Sequence, residues 1–321
     1  MDVSCSFATS LKTAEQIALA EELGYRRAWC YDSPALYPDV WMTLALAAER
    51  TSRIGLGPAV LVPSLRHVMT NAAAIATLVS LAPGRVAVAI GSGFTGRLAL
   101  GQRPLPWVQV RAYTLALRDL LQGKQVEWDG APTKMLHPEG FAPSRPIDVP
   151  MLMGVVGERG TAVAREVADG VIGPVAPAGF TWAARTYHGT VLDPGEEPGS
   201  ARVLAAAGHA AALALHMAHH RGQSHTVPSG QEWAAEADKI PERERHLAIH
   251  DNHLVGANAL DQQFVTGDLL RHLGLARSRP EHWARLDQLA QSGVTEVIYQ
   301  PAGPDIPREL RSFAAMAGLR A

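Results

Sequence analysis

Short apolar segments of three to nine residues recur along this chain, and most are followed by a segment with helical spacing of its apolar residues. Continuous apolar strands are buried on both faces, as in a parallel sheet that is covered by helices. The pattern predicts an α/β chain that folds as a (β/α)8 TIM barrel, with residues 1–321 forming one domain. The predicted strands lie at residues 3–8, 26–31, 54–62, 86–90, 151–153, 170–173, 203–207 and 295–300.

One long segment interrupts this repeat. About seventy residues separate the predicted seventh strand, 203–207, from the helix at 280–292, whereas most connections in compact domains are a few residues long. This predicted insertion, residues 209–279, holds eight histidines between positions 209 and 253. Because the segments after barrel strands build the active sites of such folds, the insertion is predicted to form a lid or a substrate wall.

Charge and composition exclude several classes of partner. The chain has 29 basic and 31 acidic residues, so it lacks the basic surplus that binds nucleic acid or an anionic membrane. Its most apolar long stretch, 203–218, is interrupted by two histidines and is predicted to be too polar for a membrane span. Cys5 and Cys30 lie in strand segments and are expected to be buried thiols of a cytoplasmic protein.

A glycine-rich motif follows the predicted fourth strand. Gly91-Ser92-Gly93-Phe94-Thr95-Gly96 matches the pattern G-x-G-x-x-G, but Pro104 and Pro106 interrupt the helix that a dinucleotide-binding fold requires. The motif therefore favours a loop whose bare backbone approaches a flat ring or a phosphate closely. An ordinary tight turn is the alternative.

A second glycine segment runs from the predicted fifth strand into a helix. In Gly154-Val155-Val156-Gly157-Glu158-Arg159-Gly160, the free N–H groups at the helix start suit an anion such as a phosphate. The Glu158 carboxylate would oppose an anion if it faced the same point, so the prediction depends on the backbone. An ordinary strand-to-helix turn remains the alternative.

Polar residues near the expected catalytic face add further candidates. Asp32 ends the second strand, where its carboxylate could accept a hydrogen bond from a ring N–H or cap the following segment. His246, His250 and His253 are spaced by four and three residues, which places them on one face of a helix. With no adjacent cysteine or carboxylate set, the spacing favours a pocket-lining face, and no metal site is predicted.

Five stretches of the barrel sequence occur in a fixed order: AEELGYRRAW at 20–29, LGPAVLVPSLRH at 56–67, RVAVAIGSG at 85–93, ADG at 168–170 and SGVTE at 292–296. Together they resemble the bacterial-luciferase-like superfamily of flavin- and deazaflavin-dependent oxidoreductases, especially its methylenetetrahydromethanopterin reductase-like members. The resemblance covers nearly the whole predicted barrel but not the histidine-rich insertion.

The resemblance implies where a cofactor would bind. The family usually has a cis peptide bond that presses against the back of an isoalloxazine-type ring, and this bond falls at Ala59–Val60. The other cofactor-binding residues that the resemblance implies are Asp32 at the ring edge, Gly91, Ser92 and Gly93 near the ring, and Val156, Gly157 and Glu158 at the cofactor phosphate.

Two departures from the family concern the acid or base. The resemblance implies a catalytic histidine directly after the aspartate, where this chain has Ser33, and a glutamate near the end of strand one, where it has Ser6. A proton donor or acceptor must therefore come from elsewhere. His250 and His253 are predicted as catalytic candidates, together with Asp32.

The predicted cofactor is the deazaflavin coenzyme F-420, because the sequence pattern is most similar to that of a deazaflavin enzyme, and FMN is the alternative. The acidic tail of the deazaflavin favours basic residues at the pocket entrance, where Arg66, Arg97 and Arg103 are expected. The predicted reaction is hydride transfer to or from a small organic substrate. The resemblance also implies a homodimer.

Three other functions remain open from the sequence. The first is an FMNH2-dependent two-component monooxygenase that a partner flavin reductase supplies. The second, of a different class, is a barrel that binds a flavin-like ligand without turnover. The third is a sugar-phosphate barrel enzyme without a flavin, which rests on fold analogy alone.

Overall fold

Eight parallel strands form a closed barrel in the computed structural model, which describes residues 1–320. The Leu61 N–H donates to the Ala89 carbonyl at 2.7 Å and the Gly91 N–H donates to the Leu61 carbonyl at 3.0 Å, which joins the third strand to the fourth. The predicted TIM barrel is confirmed. Its strands are β1 (Asp2–Phe7), β2 (Arg27–Cys30), β3 (Gly55–Pro58), β4 (Val88–Gly91), β7 (Met151–Gly154), β8 (Gly170–Ile172), β9 (Ala183–Tyr187) and β12 (Glu296–Tyr299).

Helices surround the barrel and cover the outer face of its sheet. A small hairpin, β5 (Val126–Trp128) and β6 (Ala131–Thr133), precedes β7. The helices are α1 (Thr13–Glu22), α2 (Val40–Arg50), α3 (Val68–Leu81), α4 (Phe94–Leu98), α5 (Trp107–Leu121), α6 (Glu158–Val167), α11 (Arg279–Gln291) and α12 (Ile306–Ala317).

Side chains along each strand alternate between the barrel interior and the surrounding helices. In β1, Val3, Cys5 and Phe7 join the apolar cluster under the helices. A second cluster fills the barrel interior; its fully buried members are Trp29, Ala87, Ala89, Leu152, Ala184 and Ile298. Residues two positions farther along each strand face the same interior, so this alternation determines which side chains line the upper end of the barrel.

The seventh barrel strand differs from the sequence prediction. Residues 203–207, predicted as a strand, lie inside a long helix, α7 (Ala201–His220), whereas the seventh barrel strand is β9 at 183–187, outside every predicted strand. The alanine-rich sequence of α7 favours a helix, and Ser200 caps its first turn by accepting the Val203 N–H at 3.3 Å. β9 contains Thr186 and Tyr187, which favour extended backbone.

The insertion is the segment 188–278 between β9 and α11, so it begins earlier than the predicted residue 209. It has its own apolar core, in which Trp233 and Leu270 are fully buried. Its elements are β10 (Thr190–Val191), α7, α8 (Gly230–Asp238), α9 (Glu242–His250), α10 (Gly267–His272) and β11 (Ala276–Arg277).

Helix α7 is long and apolar enough to cross a membrane by length and composition, with a mean hydropathy of 1.2 in its most apolar window. However, 61% of that window is buried inside the protein. Val203, Ala211 and Leu215 of this helix belong to the core of the insertion. The burial indicates a core helix.

A buried carboxylate attaches the insertion to the barrel. Glu309 of α12 is 3% exposed, and its Oε1 accepts hydrogen bonds from Arg202 at 3.0 Å and Arg308 at 2.8 Å. Its Oε2 accepts hydrogen bonds from Thr190 at 2.6 Å and Tyr299 at 3.2 Å. The carboxylate therefore joins β10 and α7 of the insertion to β12 and α12 of the barrel.

Candidate active site

The carboxyl ends of the barrel strands form an opening that we call the barrel mouth. By the alternation described above, β2 places Tyr31 inside, two residues after Trp29, and β12 places Gln300 inside, two residues after Ile298. The same alternation adds Ser6, Gly91, Gly154, Ile172 and His188 to the lining of the mouth. Val60 does not follow the alternation but joins the lining, because its side chain lies against Gly91 and Gly154.

One half of the mouth is apolar and closely fitted. A Cβ atom on Gly91 would lie 2.8 Å from Cγ2 of Val60, and one on Gly154 would lie 2.8 Å from Cγ1 of the same residue. The two glycines therefore make room for the Val60 side chain. The Ala59–Val60 peptide bond is cis, and both residues are half-buried. This half offers a flat apolar surface against which a planar ring can pack.

The other half of the mouth is polar. The Tyr31 hydroxyl donates to Oε1 of Gln300 at 2.9 Å, which leaves the Ser6 hydroxyl as the donor to Tyr31 at 3.0 Å. Burial raises the pKa of Tyr31 well above its ordinary value, so its hydroxyl stays protonated at neutral pH. Nε2 of Gln300 donates to the Leu254 carbonyl of the insertion at 2.8 Å.

His188 completes the polar half. It follows β9 directly and faces inward, since Ala184 of the same strand belongs to the interior cluster. Its Nδ1 is buried without a hydrogen-bond partner, and its ring centroid lies 5.8 Å from that of His209 in α7. Burial lowers the pKa of His188 to about 4, although Gln300 acts in the opposite direction, so the ring is neutral at pH 7.

Asp32 lies at the rim of the mouth and is 3% exposed. Its Oδ1 forms an ion pair with Arg66, which also binds Oδ2 of Asp39 at 2.6 Å. Burial raises the pKa of Asp32, while Arg66 acts in the opposite direction. The second oxygen, Oδ2, is buried without a partner. Asp39, which accepts the Trp41 N–H at 2.8 Å, is the residue that caps the following helix, α2.

The first glycine motif contains a helix that the sequence analysis did not expect. Gly93 has a left-handed backbone with φ +80°, and α4 begins at the next residue and ends at Leu98, before the two prolines. A Cβ on Gly93 would lie 2.4 Å from Val62, so a side chain is excluded there. The Ser92 carbonyl accepts the Leu105 N–H at 2.8 Å, which folds the segment back over β4.

The second glycine segment is exposed at the start of α6. Gly157 is the N-cap residue, with φ +80°, and no side chain caps this helix. A Cβ on Gly157 would find no atom within 4 Å, and Val156 is 60% exposed. The first N–H groups of α6 are thus available to an anion, with Glu158 in the same turn.

A turn of the insertion, residues 251–256, closes over the mouth; we call it the roof turn. The Tyr37 hydroxyl donates to the His253 carbonyl, and Gln300 donates to the Leu254 carbonyl as described above. Nε2 of His253 lies 3.4 Å from the Thr95 hydroxyl. Three side chains of the barrel therefore hold the backbone or the ring of the roof turn.

Outside the roof turn, a cavity of about 800 Å³ lies between α4 and helices α7 and α9 of the insertion. His250 and His253 both line it, whereas Asp32, Val60 and Gly157 do not. His250 ends α9, and His253 lies beyond the helix in the roof turn, so only His246 and His250 share a helical face. The cavity is lined by Phe94, Thr95, Leu98, Gly101, Gln102, Arg103, Leu213, His216, Met217, His219, His220, Glu242, Arg243, Arg245, His246, Ile249, His250 and His253.

The histidines of this cavity are clustered and hydrogen-bonded. The ring centroids of His250 and His253 are 5.1 Å apart, and that of His216 is 5.6 Å from His253. Nδ1 of His250 donates to the His246 carbonyl at 2.8 Å, and Nε2 of His216 pairs with Asp261 at 2.9 Å. Burial lowers the pKa of His250, although its hydrogen bond to His246 acts in the opposite direction. Burial, followed by the neighbouring rings, lowers the pKa of His253 to about 2. Within residues 1–320, no three histidine, cysteine or carboxylate side chains converge as metal ligands.

The structure thus divides the predicted residues among separate places. Val60 and Gly91 meet in the mouth, Asp32 lies at its rim, and His250 and His253 line the outer cavity. Three mouth residues could not be predicted from the sequence, Tyr31, His188 and Gln300, because their inward direction depends on the register of the strands that precede them.

Comparison with known proteins gives a consistent result. The family model described as luciferase-like monooxygenase matches residues 9–296. A 5,10-methylenetetrahydromethanopterin reductase from Methanolobus tindarius is 27% identical over 319 residues, covering 94% of both chains.

Two solved structures share the fold of the whole chain. A coenzyme F-420-dependent tetrahydromethanopterin reductase from Methanopyrus kandleri has a TM-score of 0.69, 19% identity and full coverage of both chains. The FMN-bound oxygenating constituent of 3,6-diketocamphane monooxygenase from Pseudomonas putida has a TM-score of 0.63 and 13% identity, covering 100% of this chain and 98% of that one. At these identities the likeness concerns the fold alone. The family resemblance inferred from the sequence, and with it the prediction of an oxidoreductase, is confirmed by the family match.

Proposed function

Because this chain belongs to the luciferase-like monooxygenase family, we propose that it is an F-420-dependent oxidoreductase that transfers hydride to or from a small organic substrate in the barrel mouth. The observation that supports this most directly is the division of the mouth into two halves. Val60, seated between Gly91 and Gly154, offers a flat apolar surface, while Ser6, Tyr31, His188 and Gln300 line the opposite side.

The residues present fit a deazaflavin in three respects. Val60 can contact the back of the ring, and the unpartnered Oδ2 of Asp32 can accept a ring N–H. The N–H groups that follow Gly157 can bind the cofactor phosphate, since no side chain occupies the start of α6. When bound, a deazaflavin supplies two-electron hydride chemistry. The roof turn then excludes water from the reacting groups.

The choice of the deazaflavin over FMN rests on two observations. The first concerns the relatives: the Methanolobus tindarius reductase matches 94% of this chain, and the solved Methanopyrus kandleri reductase depends on coenzyme F-420. The second concerns charge. Arg97 and Arg103 lie on α4 and the segment after it, where cations would attract the acidic tail of the deazaflavin. FMN, with an external flavin reductase as partner, is the second candidate, because the family description and the FMN-bound neighbour are those of monooxygenases.

Titration of the purified protein with F-420 and FMN, each followed by fluorescence, tests this proposal. We expect F-420 to bind more tightly, and Gly91→Ala to weaken binding about tenfold, because the new methyl group pushes Val60 into the mouth. Gly199→Ala is the matched control, since its Cβ would have no neighbour closer than 3.9 Å.

Each other outcome has a defined meaning. Preferential binding of FMN would replace the proposal by the two-component monooxygenase. Binding of neither would leave a barrel that takes another ligand. Unchanged affinity in Gly91→Ala would show that the ring does not pack against Val60.

A homodimer and a cytoplasmic location complete the proposal. Met42 and Leu46, one turn apart on α2, are 72% and 57% exposed, which supports burial against a second copy. Light scattering should give about twice the chain mass, and Met42→Glu should reduce the measured mass.

The two buried, free cysteines support the proposed location in a reducing compartment.

A further inference from the structure

The pair His188–His209 has no role in the functions described so far. β9 directs His188 into the mouth, and its Nδ1 is buried without a hydrogen-bond partner. His209, on α7 of the insertion, is 1% exposed, and neither of its ring nitrogens has a hydrogen-bond partner. The two rings meet edge to face, at an interplanar angle of 67°.

Three buried, unpartnered nitrogens in one pair are costly for folding, because a buried polar group without a hydrogen bond loses its hydration without compensation. A catalytic role is one explanation for such groups. Burial and the adjacent His188 ring lower the pKa of His209 to about 3, so both rings are neutral at pH 7. A neutral imidazole has one N–H donor and one acceptor nitrogen, and can therefore take a proton on one side while releasing one from the other.

We propose that His188 exchanges a proton with the substrate in the barrel mouth, and that His209 is the positioning residue that receives or returns the Nδ1 proton of His188. This inference rests on the proposed function. When a substrate alcohol or amine carbon gives up a hydride and its two electrons to the deazaflavin, the proton on its oxygen or nitrogen passes to Nε2 of His188. The Nδ1 proton of His188 then passes to His209, so the pair ends with one added proton. Reduction of a carbonyl or imine runs these transfers backwards.

The pair supplies the group that the sequence lacks at its two family positions, Ser6 and Ser33. The histidines that sequence analysis preferred are less suitable. The backbone of His253 accepts the Tyr37 hydroxyl and its ring faces Thr95, whereas His250 faces the cavity outside the roof turn. His188 is the histidine that a barrel strand itself directs into the mouth.

Chemical modification of the histidines tests the position of His188 without any substrate. Diethyl pyrocarbonate reacts with unprotonated imidazole, and peptide mass spectrometry locates the modified rings. We expect His188 to react at pH 5 almost as fast as at pH 7, because burial lowers its pKa to about 4. Bound F-420 should slow modification of His188 at least about tenfold and leave modification of His272, exposed on α10, unchanged. An unreactive His188, or one that loses most of its reactivity at pH 5, would overturn the proposal.

Variants then test proton exchange. The assay uses reduced F-420 and a panel of ketone and imine probes. We expect His188→Asn to lower turnover about 100-fold or more, while its affinity for F-420 stays within twofold of the native value. Added imidazole should restore part of the activity of His188→Gly. His272→Asn is the control. In ¹⁵N spectra of the histidine rings, we expect His188 of the native protein to exchange between its two neutral tautomers. In His209→Asn, His188 should remain in one tautomer.

These results separate the two proposals. If F-420 fails to bind the native protein, the proposed function fails, and the reactivity of His188 in the unliganded protein still decides its accessibility. If F-420 binds and His188→Asn keeps native turnover, the assignment of His188 is wrong, while the proposed binding of F-420 is supported. The same conclusion follows if F-420 binds, no probe reacts and F-420 fails to protect His188 from modification.

Discussion

Arg66 supplies the positive charge that pairs with the buried carboxylate of Asp32. Its guanidinium binds both Asp32 and Asp39, and its side chain is only 13% exposed. The sequence left two roles open for Asp32, a helix cap or a site carboxylate. In the structure Asp39 caps α2, and Oδ2 of Asp32 is left without a hydrogen-bond partner, which is consistent with the proposed role as a site carboxylate.

Replacing Arg66 should therefore destabilise the protein. Arg66→Met removes the partner of a buried carboxylate, which typically costs about 3–5 kcal/mol. Arg50→Met is the control: its pair with Glu15 is 3.8 Å long and about half exposed, so we expect a loss below about 1 kcal/mol. Urea unfolding at pH 7 measures both changes. Adding Asp32→Asn to Arg66→Met should recover part of the loss; no recovery would show that Arg66 acts through packing.

Some residues of the candidate site could be predicted from the sequence, and others could not. The cis bond at Ala59–Val60 and the glycines of the fourth strand could be predicted, because they lie in motifs that resemble a known family. His188 could not, because its direction follows from the register of β9. The segment Ala183-Ala184-Arg185-Thr186-Tyr187 has charged and polar residues at partly exposed positions and lacks a continuous apolar run.

Among the secondary-structure elements, the seventh strand shows why sequence patterns can mislead. Most barrel strands are buried on both faces, so their continuous apolar sequences are recognisable. Helix α7 is apolar for a different reason: it forms the core of the insertion and is covered by α8 and α10. A short apolar segment at 203–207 fits either structure, and the position of Ser200 as an N-cap is the local signal that favours the helix.

The attachment of the insertion depends on Glu309. Glu309→Gln removes the charge that Arg202 and Arg308 share, and we expect a loss of about 3–5 kcal/mol, with faster amide hydrogen exchange in α7. Asp193→Asn is the control, because this carboxylate binds the same Arg308 but is 61% exposed. Equal protection of α7 in Glu309→Gln and the native protein would show that apolar packing alone holds the insertion.

For the molecule as a whole, buried neutral histidines set the acid limit of stability. Burial lowers the pKa of His188 and His282 to about 4 and that of His209 to about 3, below the value in the unfolded chain. The unfolded state then binds more protons, so stability is complete above about pH 6.5 and falls as the pH decreases through the folded pKa values.

The expected slope is about 1.4 kcal/mol per pH unit for each such histidine between about pH 6 and pH 4. Urea unfolding at pH 7.5, 6.5, 5.5 and 4.5 measures it. His209→Leu should reduce the slope and raise stability at pH 5.5, because it removes two unpartnered nitrogens. His272→Leu, at an exposed position, is the control. A native slope near zero would contradict neutral burial of these rings.

The position of the Val60 side chain between Gly91 and Gly154 has a stereochemical consequence. A planar ring that rests on Val60 has one face covered by protein, so a substrate can approach only the other, beside Tyr31 and His188. Hydrogen transfer should then be confined to a single prochiral face. Deuterium delivered from a labelled substrate would appear on one diastereotopic position of the ring.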